Sequence, residues 1–280
     1  MPLSTDVLRE RISRQQWTSH NIRLNDEVTT CPDVGCPFEG DLRMRSIERI
    51  VDFVFGGDWS HLRIADLGSL EGGFALACAR KGATVLGVEV RQANFEKLLL
   101  LKEHFELPNL TFEKADVKDF TRERFGEFDV VLALGILYHL DEPAKWLKQI
   151  AACTRTALVI DTHFAPADKA ALARIDPRIS ALSRMEEVRY GNGIYRGRWF
   201  EESPNLKNRE GNLWASYSNS RSFWLTKESL LRAVRDAGFH LVLEQHDHSA
   251  DRYDQLNYVS PRTMLVGLKP RKDNPVRVAS

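Results

Sequence analysis

Long apolar runs are missing from this 280-residue chain. Nothing near 18 consecutive apolar residues occurs, so neither a membrane-spanning helix nor a membrane partner is expected. Residues 1–17, MPLSTDVLRERISRQQW, carry charges where a signal peptide needs an apolar stretch, which predicts a cytoplasmic protein. An excess of either charge is also missing: 39 Lys+Arg stand against 39 Asp+Glu. The commonest mark of a dedicated nucleic-acid binder is therefore absent. Internal repeats and low-complexity tracts are absent too. Cysteines number four. Cys78, in FALACA, and Cys153 read as small buried hydrophobes. Cys31 and Cys36 are the one close pair, but no second Cys or His pair follows at ligand distance, so a Pro-flanked loop is expected there and no metal. What is present is 43% apolar and 9% aromatic residues, enough for one large core or a core with an appended lobe.

From about residue 62 the chain alternates short β-branched runs with amphipathic stretches, the pattern of a parallel sheet covered by helices. Strands are predicted at 62–67, 84–90, 110–113, 128–134 and 157–161. Helices are predicted at 73–81, 92–105, 121–125 and 142–153, with Pro143 in a first turn, where its missing donor costs nothing. Ahead of the sheet, 42–55 has helical spacing and 5–16 forms a second candidate helix. After it comes a helix at 226–237, with Thr226 as N-cap and Gly238 as stop. Strands at 240–245 and 264–268 are joined by a polar loop and should pair antiparallel at the sheet edge. The stretch 164–221 lacks clear periodicity and is too long for a plain connection, so it reads as a lid or substrate-binding insertion rising from the carboxyl edge of the sheet. The expected organisation is an N-terminal helical cap over 1–60, a ligand-binding domain over 61–268 and a loose tail over 269–280.

The informative run is ADLGSLEGGFALACARKGATVLGVEVRQAN. A strand ends at Asp66, a turn passes through Gly68, Ser69, Leu70, Glu71 and Gly72, a helix follows, and the next strand ends in Glu89. Glycines let a backbone approach a ligand closely, and an acid at the second strand end can take both ribose hydroxyls. A dinucleotide fingerprint needs glycine at its first, third and sixth positions, but these are Gly68, Leu70 and Gly73. Asp66 would also repel a diphosphate while suiting a cationic ammonium. With acid-x-Gly-x-Gly-x-Gly matched at Asp66, Gly68 and Gly72 and departed from at Leu70, the chain resembles the class I methyltransferases that use S-adenosylmethionine. The resemblance covers about residues 63–268. It implies an α/β, doubly wound, seven-stranded and mostly parallel Rossmann-like sheet with an antiparallel last strand. It implies a cofactor pocket of Asp66, Gly68, Ser69, Gly72, Glu89, Asp116 and Val117 from KADVKDF, and Gly135 and Ile136 from ALGILYHLDEPAKWL.

QQWTSHNIRLNDEVTTCP and GILYHL are also similar to a group containing tRNA wobble-uridine carboxymethyl transferases and related small-molecule enzymes. By that analogy Trp17 and His20 line the site; alternatively Trp17 packs on the sheet. Methyl transfer from a sulfonium needs alignment, exclusion of water and, for a protonated nucleophile, a base. His139, after Tyr138 at the carboxyl end of the fourth strand, is the first candidate base, or else a loop residue packed by the cofactor. His163 and Asp161, at the root of the insertion, are the second, with Asp161 alternatively capping a turn. Tyr195, Arg196 and Arg198, among further aromatics and arginines, read either as an acceptor clamp with Tyr138 or as a solvated charged face balanced by Glu186, Glu187, Glu201 and Glu202. The same residues could meet RNA phosphates and bases. The expectation is methyl transfer to an O or N atom of a small-molecule acceptor. The alternatives are a tRNA-modifying transferase using the same cofactor or its carboxylated form, an NAD-dependent oxidoreductase, and a non-catalytic cofactor-binding protein.

Overall fold

The computed structural model describes residues 2–33, 37–173, 176–203, 205–247 and 261–270. Cys36 and the tail beyond residue 270 lie outside them. Ten helices and ten strands are described: α1 (Thr5–Ser13), α2 (Leu42–Phe55), β1 (Arg63–Leu67), α3 (Gly73–Arg80), β2 (Thr84–Glu89), α4 (Gln92–Phe105), β3 (Leu110–Lys114), α5 (Arg122–Phe125), β4 (Phe128–Leu134), α6 (Pro143–Cys153), β5 (Thr154–His163), α7 (Lys169–Leu172), α8 (Pro177–Ala181), β6 (Glu186–Tyr190), β7 (Gly193–Glu201), α9 (Leu206–Gly211), β8 (Arg221–Leu225), α10 (Lys227–Asp236), β9 (Leu241–Gln245) and β10 (Arg262–Leu268). Seven strands form a mostly parallel sheet, as expected, and their order is β3-β2-β1-β4-β5-β10-β9, with β10 antiparallel to both its neighbours. Among the described residues, no helix is long and apolar enough to cross a membrane.

The chain divides into two compact units, Met1–Val117 with His246–Leu256 and Lys118–Gln245 with Asn257–Ser280. The first unit holds the N-terminal segment together with β1, β2 and β3. There the side chain of Asp41 accepts from Arg43 N–H to start α2, Met44, Ile47, Ile50 and Val51 line its buried face at helical spacing, and Gly56 at φ 81° stops it. In β1–β2–β3 the parallel register sets Asp66 beside Gly87. A Cβ on Gly87 would lie 2.5 Å from the Phe112 ring and 2.7 Å from Ser69 Oγ, so that neighbour has to be glycine.

In the second unit β4 and β5 pair in parallel and β10 closes on β5. The insertion is more regular than its sequence suggests: β6, β7 and β8 form a separate antiparallel sheet. β6 and β7 pair Tyr190 with Gly193 around the two-residue Gly191-Asn192 loop, with Gly191 at φ 53°. Beneath it Ala165, Ile179, Leu182 and Trp224 form a core of their own, with Tyr138, Leu172 and Phe200 packed against it.

Candidate active site

In the first unit the turn after β1 is built almost wholly from backbone bonds. Gly68 and Ser69 N–H donate to Val88 O (2.9 and 3.0 Å), and Gly72 N–H donates to Ser69 O (2.8 Å). Gly68 (φ 72°), Leu70 (φ 53°) and Gly72 (φ 78°) all lie in the left-handed region. Leu70 therefore keeps the conformation of the missing glycine at a cost of about 1–2 kcal/mol. The geometry puts its N–H 3.0 Å from Glu89 Oε2, while Val90 and Arg91 N–H donate to Oε1 at 3.0 and 2.9 Å. Three backbone donors thus fix the Glu89 carboxylate at the end of β2; burial nonetheless pushes its carboxyl above the ordinary range. Ala115 N–H donates to Glu89 O (3.2 Å), which anchors the half-buried Asp116 and the buried Val117 next along the sheet.

Asp66 is 2% exposed and its Oδ2 has no partner. Burial lifts its carboxyl to about 7, against the pull of Ser69 Oγ–H and Ala75 N–H, and the Glu89 charge adds to the rise. A buried carboxylate oxygen without a donor calls for a cationic or N–H-bearing ligand, and acids at the ends of the neighbouring strands β1 and β2 disfavour a diphosphate. An adenosyl group bearing an ammonium and no phosphate fits these residues.

One member of this turn carries a role that its sequence position did not reveal. Glu71, fully buried, accepts from Thr18 N–H (2.6 Å), Thr18 Oγ1–H (2.9 Å), Ser19 N–H (3.0 Å), His20 N–H (2.7 Å) and the Lys97 ammonium (3.0 Å). Burial alone would raise its carboxyl, but Lys97 and the backbone donors outweigh that and hold it below the carboxylate range. The N-terminal segment is thereby tied to the glycine turn. Trp17 lies with its ring 5.4 Å from the Lys97 ammonium and its Nε1 buried without a partner. His20 departs from its expected place in an acceptor site. Its Nδ1 accepts from Gly73 N–H (3.1 Å) at the start of α3, and its ring sits edge-on to Phe38 and Phe74. Burial drives its pKa down to about 4, so it is a neutral structural cap.

In the second unit Gly135 (φ 75°) donates its N–H to Asp161 O (2.8 Å), and Ile136 leads into a short turn, Leu137–His139. A Cβ on Gly135 would meet only Tyr138 Oη, at 3.8 Å, so the space beside this backbone is open. His139 Nδ1–H donates to Glu202 Oε1 at 2.9 Å, since a carboxylate can only accept. Glu202 also accepts from Ser222 Oγ–H (3.1 Å) and Ser216 N–H (3.3 Å). Asn219 Nδ2–H donates to His139 O (2.9 Å) and Phe223 N–H to Leu140 O (2.8 Å). Tyr138 packs on His139 with ring centroids 4.2 Å apart.

The other expected pair does not form. Asp161 is held by Arg262 of β10, Nε at 2.8 Å and Nη2 at 2.5 Å, and not by His163. His163 Nε2 accepts from Arg178 Nη1–H (3.1 Å), its ring stacks on Trp224 at 5.2 Å, and burial with the two nearby guanidiniums takes its pKa to about 3. A ring nitrogen already occupied by a guanidinium cannot take a substrate proton, so neither residue is a base here. The acceptor clamp is corrected as well. Arg198 is buried, and its guanidinium donates to Pro166 O (3.2 Å), Ser183 O (2.9 Å) and Ala167 O (3.1 Å). Tyr195 Oη–H donates to Asp236 (2.9 Å), while Arg196 is exposed, with Glu187 at 3.9 Å. Glu202, read in the sequence only as charge balance, is instead the partner of His139, and a carboxylate 63 positions from its histidine leaves no local signal.

A family model described as a methyltransferase domain matches residues 39–244, and the chain belongs to that family. The ubiquinone biosynthesis O-methyltransferase of Acinetobacter baylyi is 28% identical over 86 residues, 31% of this chain and 36% of that protein. The O-antigen chain terminator bifunctional methyltransferase/kinase WbdD of Escherichia coli is 29% identical over 107 residues, 35% of this chain and 15% of that one. The chain thus covers about a third or less of these curated relatives. Among solved structures, the N-terminal domain of EvdMO1 with SAH bound superposes with a TM-score of 0.70 at 22% identity, covering 96% of this chain and 98% of that one, which supports the shared fold.

Proposed function

We propose that this chain transfers a methyl group from S-adenosylmethionine to an oxygen or nitrogen atom of a small-molecule acceptor. The observation that carries the reading is the unpartnered, buried Asp66 Oδ2 beside a Glu89 carboxylate held rigid by three backbone N–H groups. Asp66 would take the cofactor's cationic end, Glu89 its ribose hydroxyls, and Asp116 and Val117 its adenine. When bound, the cofactor supplies an already activated methyl group. The protein's tasks are then to align the acceptor, exclude water and remove a proton. His139 is the residue for the last, because its Nδ1 is engaged by Glu202 and its Nε2 keeps a free lone pair. The names of the curated relatives, an O-methyltransferase of ubiquinone biosynthesis among them, support a small-molecule acceptor.

Two measurements test this. Calorimetry with S-adenosylmethionine, S-adenosylhomocysteine and NAD should give binding for the first two alone. S-adenosylhomocysteine release should then appear with hydroxylated or amino-bearing small molecules and not with bulk tRNA. Binding of NAD in place of the adenosyl sulfonium overturns the cofactor; release with tRNA alone overturns the acceptor class.

A further inference from the structure

We propose that Glu202, carried by the insertion, is the positioning residue for the base: it fixes the ring proton of His139 on Nδ1 and so makes Nε2 the proton acceptor. The inference rests on the methyl-transfer reading only for what the base is used for; the tautomer itself follows from the geometry.

A neutral imidazole carries one ring proton, and its placement is decided by what each nitrogen faces. His139 Nδ1 faces Glu202 Oε1 at 2.9 Å. Glu202 is 7% exposed, and its other bonds are all accepted ones, from Ser222 Oγ–H and Ser216 N–H. Every partner of the carboxylate donates, so the side chain is held as an acceptor. Both ends of the pair are anchored. Asn219 Nδ2–H and Phe223 N–H, also from the insertion and β8, donate to His139 O and Leu140 O, which locks the turn that bears the ring. Tyr138, itself packed on His163 and Trp224, covers one side of it.

In the reaction, the acceptor oxygen or nitrogen forms its bond to the methyl carbon as the bond from that carbon to sulfur breaks, and the acceptor's proton passes to His139 Nε2. The positive charge that leaves the sulfonium ends on the imidazolium, facing the Glu202 carboxylate, until the proton is lost to water. Glu202 touches neither acceptor nor methyl donor; it acts through the ring.

Glu202→Gln separates this from a packing role. The Ser216 N–H requires the amide oxygen on its side, which turns the amide NH2 toward His139 Nδ1 and Ser222 Oγ, whose hydroxyl can accept. His139 Nδ1 must then accept, and the ring proton moves to Nε2, where the lone pair was.

The test is nitrogen-15 NMR of histidine-labelled full-length protein, with the His139 signals assigned by their loss in His139→Gln. The neutral ring is expected to carry its proton on Nδ1 in the wild type and on Nε2 in Glu202→Gln. S-adenosylmethionine affinity should be unchanged in that variant, and kcat should fall by about 100-fold or more, the range of general-base catalysis. A wild-type ring protonated on Nε2 overturns the inference even if Glu202→Gln fails to fold. So does a Glu202→Gln ring that stays protonated on Nδ1 with full kcat. The spectrum needs neither cofactor nor acceptor, so a chain that binds no S-adenosylmethionine overturns the proposed function and leaves the tautomer result standing.

Discussion

The Lys97 ammonium lies 3.0 Å from Glu71 Oε1, with 1% of the lysine side chain and none of the glutamate exposed. A buried pair of this kind adds little over an apolar pair of the same shape, but breaking it leaves one charge stranded. Lys97→Met should therefore lower the unfolding free energy by about 3–5 kcal/mol. Adding Glu71→Gln should recover part of that loss, since a neutral amide can still accept from Thr18, Ser19 and His20. Urea denaturation of the single and double variants checks this; a double variant less stable than Lys97→Met would contradict it.

Leu70 holds a left-handed backbone at φ 53°. Leu70→Ala keeps that strain and Leu70→Gly removes it, while both delete the side chain. The glycine variant should be the more stable by about 1 kcal/mol, and equal denaturation midpoints would show that the turn is unstrained.

Asp66 and His20 pull stability in opposite directions with pH. The folded protein keeps the Asp66 proton up to about 7, whereas an ordinary aspartate loses it near 3.8, so this group's contribution falls as pH rises through that window. His20, at about 4 against an ordinary 6.5, contributes stability that is complete above 6.5 and is lost as pH falls toward 4. Asp66→Asn should thus make the rise of Tm between about pH 4 and 6.5 steeper than in the wild type. Thermal scans without cofactor decide it, and an unaltered slope would mean that Asp66 is ionised in the free protein.

Glu89→Gln exchanges an oxygen for an NH2 group that must face backbone donors. Loss of one charge-assisted bond is worth about 1.5–3 kcal/mol, so affinity for S-adenosylmethionine should drop by about 10- to 100-fold in calorimetry. Unchanged affinity would remove Glu89 from the pocket.

Arg198→Ala leaves three carbonyls without their donor. Hydrogen exchange should quicken in β6–β8 while cofactor affinity stays the same. A variant that weakens only acceptor binding would restore the clamp reading.

The main sheet was legible because its strands and helices carry their own periodicity and caps: α2, α4 and β4 match their expected bounds to the residue. The insertion was harder to read for two reasons. β6 is a short, charged strand and β7 mixes glycines, arginines and aromatics, so neither carries a clear apolar alternation in sequence, and the one local sign was the Gly191-Asn192 turn. Its arginines also divide by partners that lie far off in sequence: Arg198 meets carbonyls at 166, 167 and 183, while Arg196 is exposed with Glu187 at 3.9 Å. Asp66 and Glu89 could be named as candidates because strand ends and glycines mark them. The surroundings of Glu71 and Glu202 could not be read, because His20 reaches the first from 51 positions away and His139 the second from 63.

Because the carboxylate bonded to His139 is borne by the insertion, exchanging that segment with one from a relative would exchange the partner of the histidine as well. A chimaera lacking an acid at the position of Glu202 should keep its cofactor affinity and turn over slowly, and screens for regained speed should keep returning Asp or Glu there.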